Sequence, residues 1–371
     1  MKRILFLHST ALYPPSGENI RGNCLLKSLN KVKIDVDVVC PYSTCPIKSP
    51  NIHYKFIKKV DRFCKHRELS YLLSWISSFR YLSLFRKKYD IVYCYNLPAT
   101  LMAFFMKRKD NTLIADLYEA DFPELRMPKG KLARPILLLS KLWLLLFLRK
   151  TDKIIMLTKQ LQNYLRNNYN KESMVVYDAA DKTMFKPHNK KHINKELNFV
   201  FHGGIEERDG LIEFIDALAL SKIKFKFHII GEGTAKESIR QTAISYGFSS
   251  KVIFHGWLNY NLIPDILTKF DVGVIVPKNV GLNTKVIPRK LFEYIALGLP
   301  SIVIDQLAIR EILDKNEAFF CQSNSSEEIA QKIKEINSNR QIILDIAKAL
   351  HRKKKLYLQD ECKKIITLLL R

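Results

Sequence analysis

The chain has 371 residues, 47% of them hydrophobic, which is more than one ordinary core accommodates and enough for two. Lysine and arginine outnumber aspartate and glutamate by 61 to 36, a net charge of +25, and residues 1–180 hold most of the excess, with 31 basic side chains against 14 acidic ones. No helix-turn-helix, aromatic RNA-binding motif or zinc-ligand spacing accompanies that charge, which argues against nucleic acid, and seven cysteines without a CxxC exclude a disulfide framework.

In chain order, MKRILFLHSTALYPPSG opens as a strand, Arg3 to Leu7; its apolar core is too short for an export signal and His8 interrupts it. Further strands are expected at Val36 to Cys40, Ile91 to Tyr95, Thr112 to Ala115 and Ile154 to Leu157, with apolar helical stretches between them. Two basic runs, Lys55 to Arg67 and Phe85 to Lys88, suit an anionic membrane surface, where each cation contributes roughly 1 kcal/mol before screening. Ile136 to Leu148, ILLLSKLWLLLFL, is apolar nearly all round a helix and is followed by Arg149 and Lys150. At 13 residues it is too short to span a bilayer. It is either a helix buried in the N-terminal domain or one lying in a membrane interface. The basic, proline-containing stretch DAADKTMFKPHNKKHINKE marks a break, so residues 1–180 form one expected domain, 181–354 a second and 355–371 a terminal helix.

The second half continues to alternate strand and helix, the signature of a parallel sheet covered on both faces, whose ligands bind at the carboxyl ends of the strands. In NFVFHGGIEERDGLIEFIDAL an apolar strand runs into Gly203 and Gly204, and Arg208 stands just before an amphipathic helix. Glycines allow close approach of a ligand to the backbone, and the guanidinium fork matches phosphate oxygens; pairing with Glu206 or Glu207 is the alternative. Gly231 and Gly233 lack the third glycine of a dinucleotide fingerprint and read as a tight turn. FKFHII, KVIFHGW and DVGVIVP are further strands, with helices at Ala235 to Tyr246 and LIPDILTKF.

VIPRKLFEYIALGLPSIVID is the most informative stretch. Pro288 suits a first helical position, Gly298 the stop, and Ser301 to Ile304 a buried strand. Arg289 and Lys290 then fall in the first turn, where the helix dipole favours anions, so two cations there are unfavourable unless a phosphate lies between them. Glu293, one turn on, either accepts from the paired hydroxyls of a ribose or makes a surface pair with Lys290.

HGGIEERDGL, FHIIGEGTAKESI, KVIFHGWLNYNLIPDILTKFDVGVIVP and PRKLFEYIALGLPSIV together resemble, in order and spacing, the donor half of glycosyltransferase family 4, from about Asn198 to Asp305. KRILFLH, SGENIRG and DLYEADFPE extend the resemblance more weakly to the N-terminal half. It implies an α/β chain of the GT-B fold, two Rossmann-like doubly wound domains facing across a cleft, with the terminal helix returning to the first. It also implies a retaining hexosyltransferase that takes a nucleoside-diphosphate sugar, UDP or GDP, as donor substrate and uses no metal or other cofactor. Arg208 and Lys290 match residues that contact the donor diphosphate. Glu293 matches the ribose ligand, Gly17 the glycine of the N-terminal phosphate loop, and Gly203, Gly204, Ile287 and Pro288 the remaining donor-binding positions.

Two positions depart from the family. Lys285 replaces the first of two glutamates spaced eight apart, and Tyr118 stands where many members have a histidine near the reacting sugar. A tyrosine donates a hydrogen bond but does not act as a base near neutral pH without a large pKa shift. Glu119 and Asp121 flank it as candidates to orient an acceptor hydroxyl, or as helix caps. The expected protein is therefore a cytoplasmic glycosyltransferase at the inner face of the membrane, acting on a glycan or lipid-linked acceptor. The alternatives are a nucleotide-sugar epimerase of the same fold and an inactive scaffold of polysaccharide assembly.

Overall fold

The structure is a computed structural model that describes residues 2–9, 12, 19–41, 47–57, 82–118, 122, 133–190, 192–279 and 284–370. Gly17, Glu119, Asp121 and most of the Lys55 to Arg67 run lie outside the described residues. The chain divides into two compact units, Met1–Tyr177 with Leu358–Arg371, and Asp178–Tyr357.

The first unit is built on a parallel sheet of β1 (Arg3–His8), β2 (Asp35–Pro41), β3 (Ile52–Ile57), β4 (Ile91–Tyr95), β5 (Thr112–Asp116), β6 (Lys153–Met156) and β7 (Met174–Val175), in the order β3-β2-β1-β4-β5-β6-β7. Its main helices are α1 (Ile20–Lys31), α2 (Thr100–Met106), α3 (Ala133–Lys150) and α4 (Lys159–Tyr169). Central strands such as ILFL and IVYCY are apolar at successive positions because helices cover both faces, and β1 and β4 are buried almost throughout. β3 is not expected from its sequence: IHYKFI sits at the sheet edge, half-exposed, and its Lys55 reads as the start of a basic run. Of the second basic run, Lys87 is held by Asp37, whose Oδ2 also accepts from the Tyr89 hydroxyl at 2.8 Å.

The second unit repeats the plan with β8 (Leu197–His202), β9 (Phe225–Ile230), β10 (Val252–Gly256), β11 (Val272–Ile275), β12 (Ser301–Ile304) and β13 (Phe319–Cys321), parallel in the order β10-β9-β8-β11-β12-β13. α5 (Leu211–Ser221), α6 (Lys236–Ser245), α7 (Arg289–Leu297), α8 (Ser326–Ser338) and α9 (Gln341–Arg352) cover it. α7 starts one residue later than its proline suggests: Pro288 is the N-cap, with ψ at 135°, and the helix ends at Gly298 in the left-handed region. α10 (Leu358–Leu370) belongs to the first unit, where it packs on α1 and its Glu361 carboxylate accepts from the Tyr177 backbone N–H at 2.9 Å.

Both sheets reverse their strand order once, between β1 and β4 in the first unit and between β8 and β11 in the second. Those are the crevices in which open α/β sheets bind ligands.

Candidate functional site

At the end of β8 the backbone turns sharply. Gly203 has φ +115°, and its N–H donates to the Ile230 carbonyl at 2.9 Å, while Gly231, φ +137°, lies so close that a Cβ there would meet the Gly203 carbonyl at 1.9 Å. The GxG is thus a close-packing device between the loops after β8 and β9. Gly204, the next residue, is exposed with open space where a side chain would stand.

Over this turn lies Lys290. A Cβ on Gly203 would be 3.6 Å from its Cε and Nζ, and the ammonium sits 3.6 Å from the centroid of the Phe201 ring. Its acidic neighbour is Asp209, at 3.6 Å, beyond hydrogen-bond range. Asp209 is itself committed: its Oδ2 accepts from the Glu206 N–H at 2.9 Å in a capping box that shapes the short turn Glu207–Asp209. Burial pulls the Lys290 pKa below the ordinary lysine value, Asp209 opposes that, and the nearby positive charge of Arg208 adds to it. Arg208 is exposed on that turn, and its carbonyl accepts from the Lys278 N–H after β11, joining the two loops that flank the strand-order reversal. Of the two acids beside it, Glu206 accepts from the Thr234 hydroxyl at 2.8 Å and Glu207 lies 3.6 Å from Lys278. Lys290 thus lies at the carboxyl end of β8, near enough to Arg208 to feel its charge, at the start of α7, which carries no acid in its first turn. An anion there relieves their mutual repulsion.

Arg289 behaves otherwise. Its guanidinium binds the Asp178 carboxylate, so the two first-turn cations do not share one partner, and Lys290 alone lies over Gly203. Adjacent helical residues point about 100° apart, and only one of the two can face the β8 turn. Ile287 is buried, leaving only its backbone to meet a ligand, and Pro288 is half-buried.

Glu293 is 2% exposed and makes no pair with Lys290. His202 Nε2, from the last residue of β8, donates to its Oε2 at 2.5 Å, and the Tyr260 hydroxyl donates to Oε1. Burial alone would raise this carboxyl; the His202 and Tyr260 hydrogen bonds and the Arg289 charge outweigh it and hold the pKa below the usual carboxylate value. His202 in turn rests on Tyr294, whose hydroxyl lies 3.2 Å from Nδ1. Asp209, His202, Tyr260 and Asp178 went unidentified in the sequence. The last three act across 91, 33 and 111 residues, separations at which spacing carries no signal.

In the first unit Tyr118 follows β5, and its hydroxyl is hydrogen-bonded to that of Tyr95, whose ring stacks on His8 at 4.2 Å. Beneath it Arg21, fully buried, donates to Asp116 at 2.9 Å and to the Val176 carbonyl. On α3 the side chains of Leu138, Leu139, Leu142 and Leu146 are exposed while Leu144, Phe147 and Leu148 are buried, so one face packs on the unit and the other is an apolar stripe next to Lys141, Arg149 and Lys150. Among the described residues no helix is long and apolar enough to cross a membrane, and no cluster of three metal-ligating side chains occurs.

The model of the glycosyl transferases group 1 family matches residues 182–355. A protein described as an uncharacterized glycosyltransferase of Methanocaldococcus jannaschii is 22% identical over 194 residues. That match covers 52% of this chain and 51% of the relative, about half the length of each. Among solved structures, sucrose-phosphate synthase of Thermosynechococcus elongatus superposes with a TM-score of 0.81 at 13% identity, covering 100% of this chain and 98% of that one. HepE of Anabaena, solved with UDP and glucose, gives 0.75 at 14% identity over 100% of both chains. The family model thus matches residues 182–355, just under half of the chain, and the solved structures with the two parallel sheets show that the chain has the GT-B fold.

Proposed function

We propose that the protein is a retaining glycosyltransferase of family 4, moving a sugar from a nucleoside-diphosphate donor to a hydroxyl of a lipid-linked or polysaccharide precursor. The observation that carries this reading is the placement of Lys290 over Gly203, with Arg208 close enough to depress its pKa, at the carboxyl end of β8. As the bond from the sugar C1 to the diphosphate oxygen breaks, negative charge builds on the leaving diphosphate. Two cations held at that spot stabilise the transition state more than the ground state. The acceptor oxygen bonds to C1 on the same face, and its proton passes to the departing phosphate oxygen. Gly204 leaves room for the phosphates, and Glu293 receives the ribose. UDP in the HepE structure makes a uridine nucleotide the first donor class to try.

The α3 leucine stripe and its flanking cations support a working place on the cytoplasmic face of an anionic membrane, where a lipid-linked acceptor would be presented.

The test is a screen of UDP- and GDP-sugars with a membrane extract as acceptor, read by mass spectrometry, with the anomeric configuration of the product determined by NMR. Transfer with retained configuration is expected. Lys290→Ala and Arg208→Ala should each lose at least about a hundredfold in kcat/KM with unchanged thermal unfolding, since a charge-assisted contact contributes roughly 1.5–3 kcal/mol and these two act together. Near-normal turnover in both variants rejects their roles. Conversion of the donor without acceptor would indicate an epimerase, and binding without turnover a scaffold.

A further inference from the structure

We infer that Tyr260 is a positioning residue that occupies the ribose place on Glu293 in the empty protein and gives way to the nucleotide when it binds; this rests on the nucleotide-sugar reading above. The two donors on the Glu293 carboxylate differ in their freedom to leave. His202 belongs to β8, hydrogen-bonded to β9 on one side and β11 on the other, with the Tyr294 ring at 5.2 Å. Its backbone is fixed in the sheet and its ring is held between Glu293 and the Tyr294 hydroxyl. Tyr260 instead opens the short turn Tyr260–Leu262 between β10 and the following helical turn, flanked by Trp257, 66% exposed, and Leu262, 52% exposed. Its described ring contact is a tilted one with Phe185 at 5.8 Å.

Glu293 is only 2% exposed, so a ribose reaches its carboxylate by replacing one of these donors. A phenol hydroxyl and a ribose hydroxyl make the same kind of bond to a carboxylate, and exchanging them leaves Glu293 satisfied throughout. Tyr260 thus spares the empty site a buried carboxylate oxygen without a partner, and the same hydrogen bond must be broken each time a nucleotide enters.

The test is calorimetry of UDP and GDP binding to the full chain and its Tyr260→Phe variant, which keeps the ring against Phe185 and removes only the hydroxyl. Loss of the competing donor should tighten UDP or GDP binding about tenfold and lower the melting temperature of the empty protein, while enlarging the upward shift that nucleotide produces. Tyr260→Leu should move affinity in the same direction. The gain should vanish for 2′,3′-dideoxyuridine diphosphate, which has no ribose hydroxyl to offer, and a purely structural tyrosine would not produce that dependence. Equal or weaker UDP binding by Tyr260→Phe, or an equal gain for the dideoxy nucleotide, overturns the inference alone. No nucleoside diphosphate binding by any form removes the nucleotide reading and this inference with it.

Discussion

The two units share one strand order, 3-2-1-4 continued outward, yet use the crevice beside their first strand differently. In the first unit the charges near it are paired in the interior: Arg21 and Asp116 are both fully buried, and the Tyr93 hydroxyl closes the carboxylate at 2.5 Å. In the second, Lys290 stands at the end of β8 over Gly203, with the Asp209 carboxylate 3.6 Å away. The same backbone plan thus holds a buried ion pair in one unit and a looser lysine–aspartate contact at a strand end in the other. What separates them is burial and distance: Arg21 is closed in the interior at 2.9 Å from Asp116, whereas Lys290 lies 3.6 Å from Asp209 at a strand end. Strand order marks a crevice in each unit, and the burial of the ion pair distinguishes the first from the second.

The largest expected effect breaks the interior pair. Arg21→Leu takes the guanidinium away from the buried Asp116 carboxylate and from the Val176 carbonyl, and should cost about 3–5 kcal/mol in urea unfolding of the full chain. A loss below about 1 kcal/mol would show that the first unit does not depend on the pair, and the contrast with Lys290 would fail.

A smaller effect sharpens the comparison at the surface. The apolar face of α3 has no counterpart in the clusters of the site, and Leu139→Glu with Leu142→Glu should weaken flotation with anionic liposomes at low salt by at least about tenfold, leaving donor binding unchanged. Wild-type protein that ignores such liposomes would remove the membrane part of the function.

The smallest expected effect is a pH dependence peculiar to the second unit. His228 and His255 face each other across β9 and β10 with ring nitrogens 2.9 Å apart. Burial, then the charge of His255, push His228 down to about 4, and burial also lowers His255. Between pH 6.5 and 4 the unfolded chain therefore binds more protons than the folded one, so stability rises with pH across that window and is lost as pH falls through it. Half-exposure of His228 keeps the effect modest. His228→Asn should flatten the fall in melting temperature between pH 6.5 and 4.5, and an unchanged slope would place the acid sensitivity elsewhere.

Much of the second unit was legible from the chain. Apolar runs located β8, β9 and β12, the first two ending at glycine, and Pro288 with Gly298 bounded α7 to within one residue. β13, the edge strand β3 and the two-residue β7 were not legible, because short or half-exposed strands lack both an apolar run and a clean alternation. The length of Ile136 to Leu148 showed that it cannot span a bilayer, but its uniform composition could not say which face packs inward.

The sequence by itself determined the alternation of strand and helix, the turn at Gly203 and Gly204, and the presence of cations at the start of α7. These are local matters of side-chain period, glycine freedom and helix polarity. Only the tertiary structure decided that Arg289 turns to Asp178 while Lys290 turns to the β8 loop, and that Glu293 lies beneath Tyr260 and His202. Pairing among charges and donors is settled by which groups the packed sheet brings within about 3 Å of one another, and neighbours along the chain carry no record of that distance.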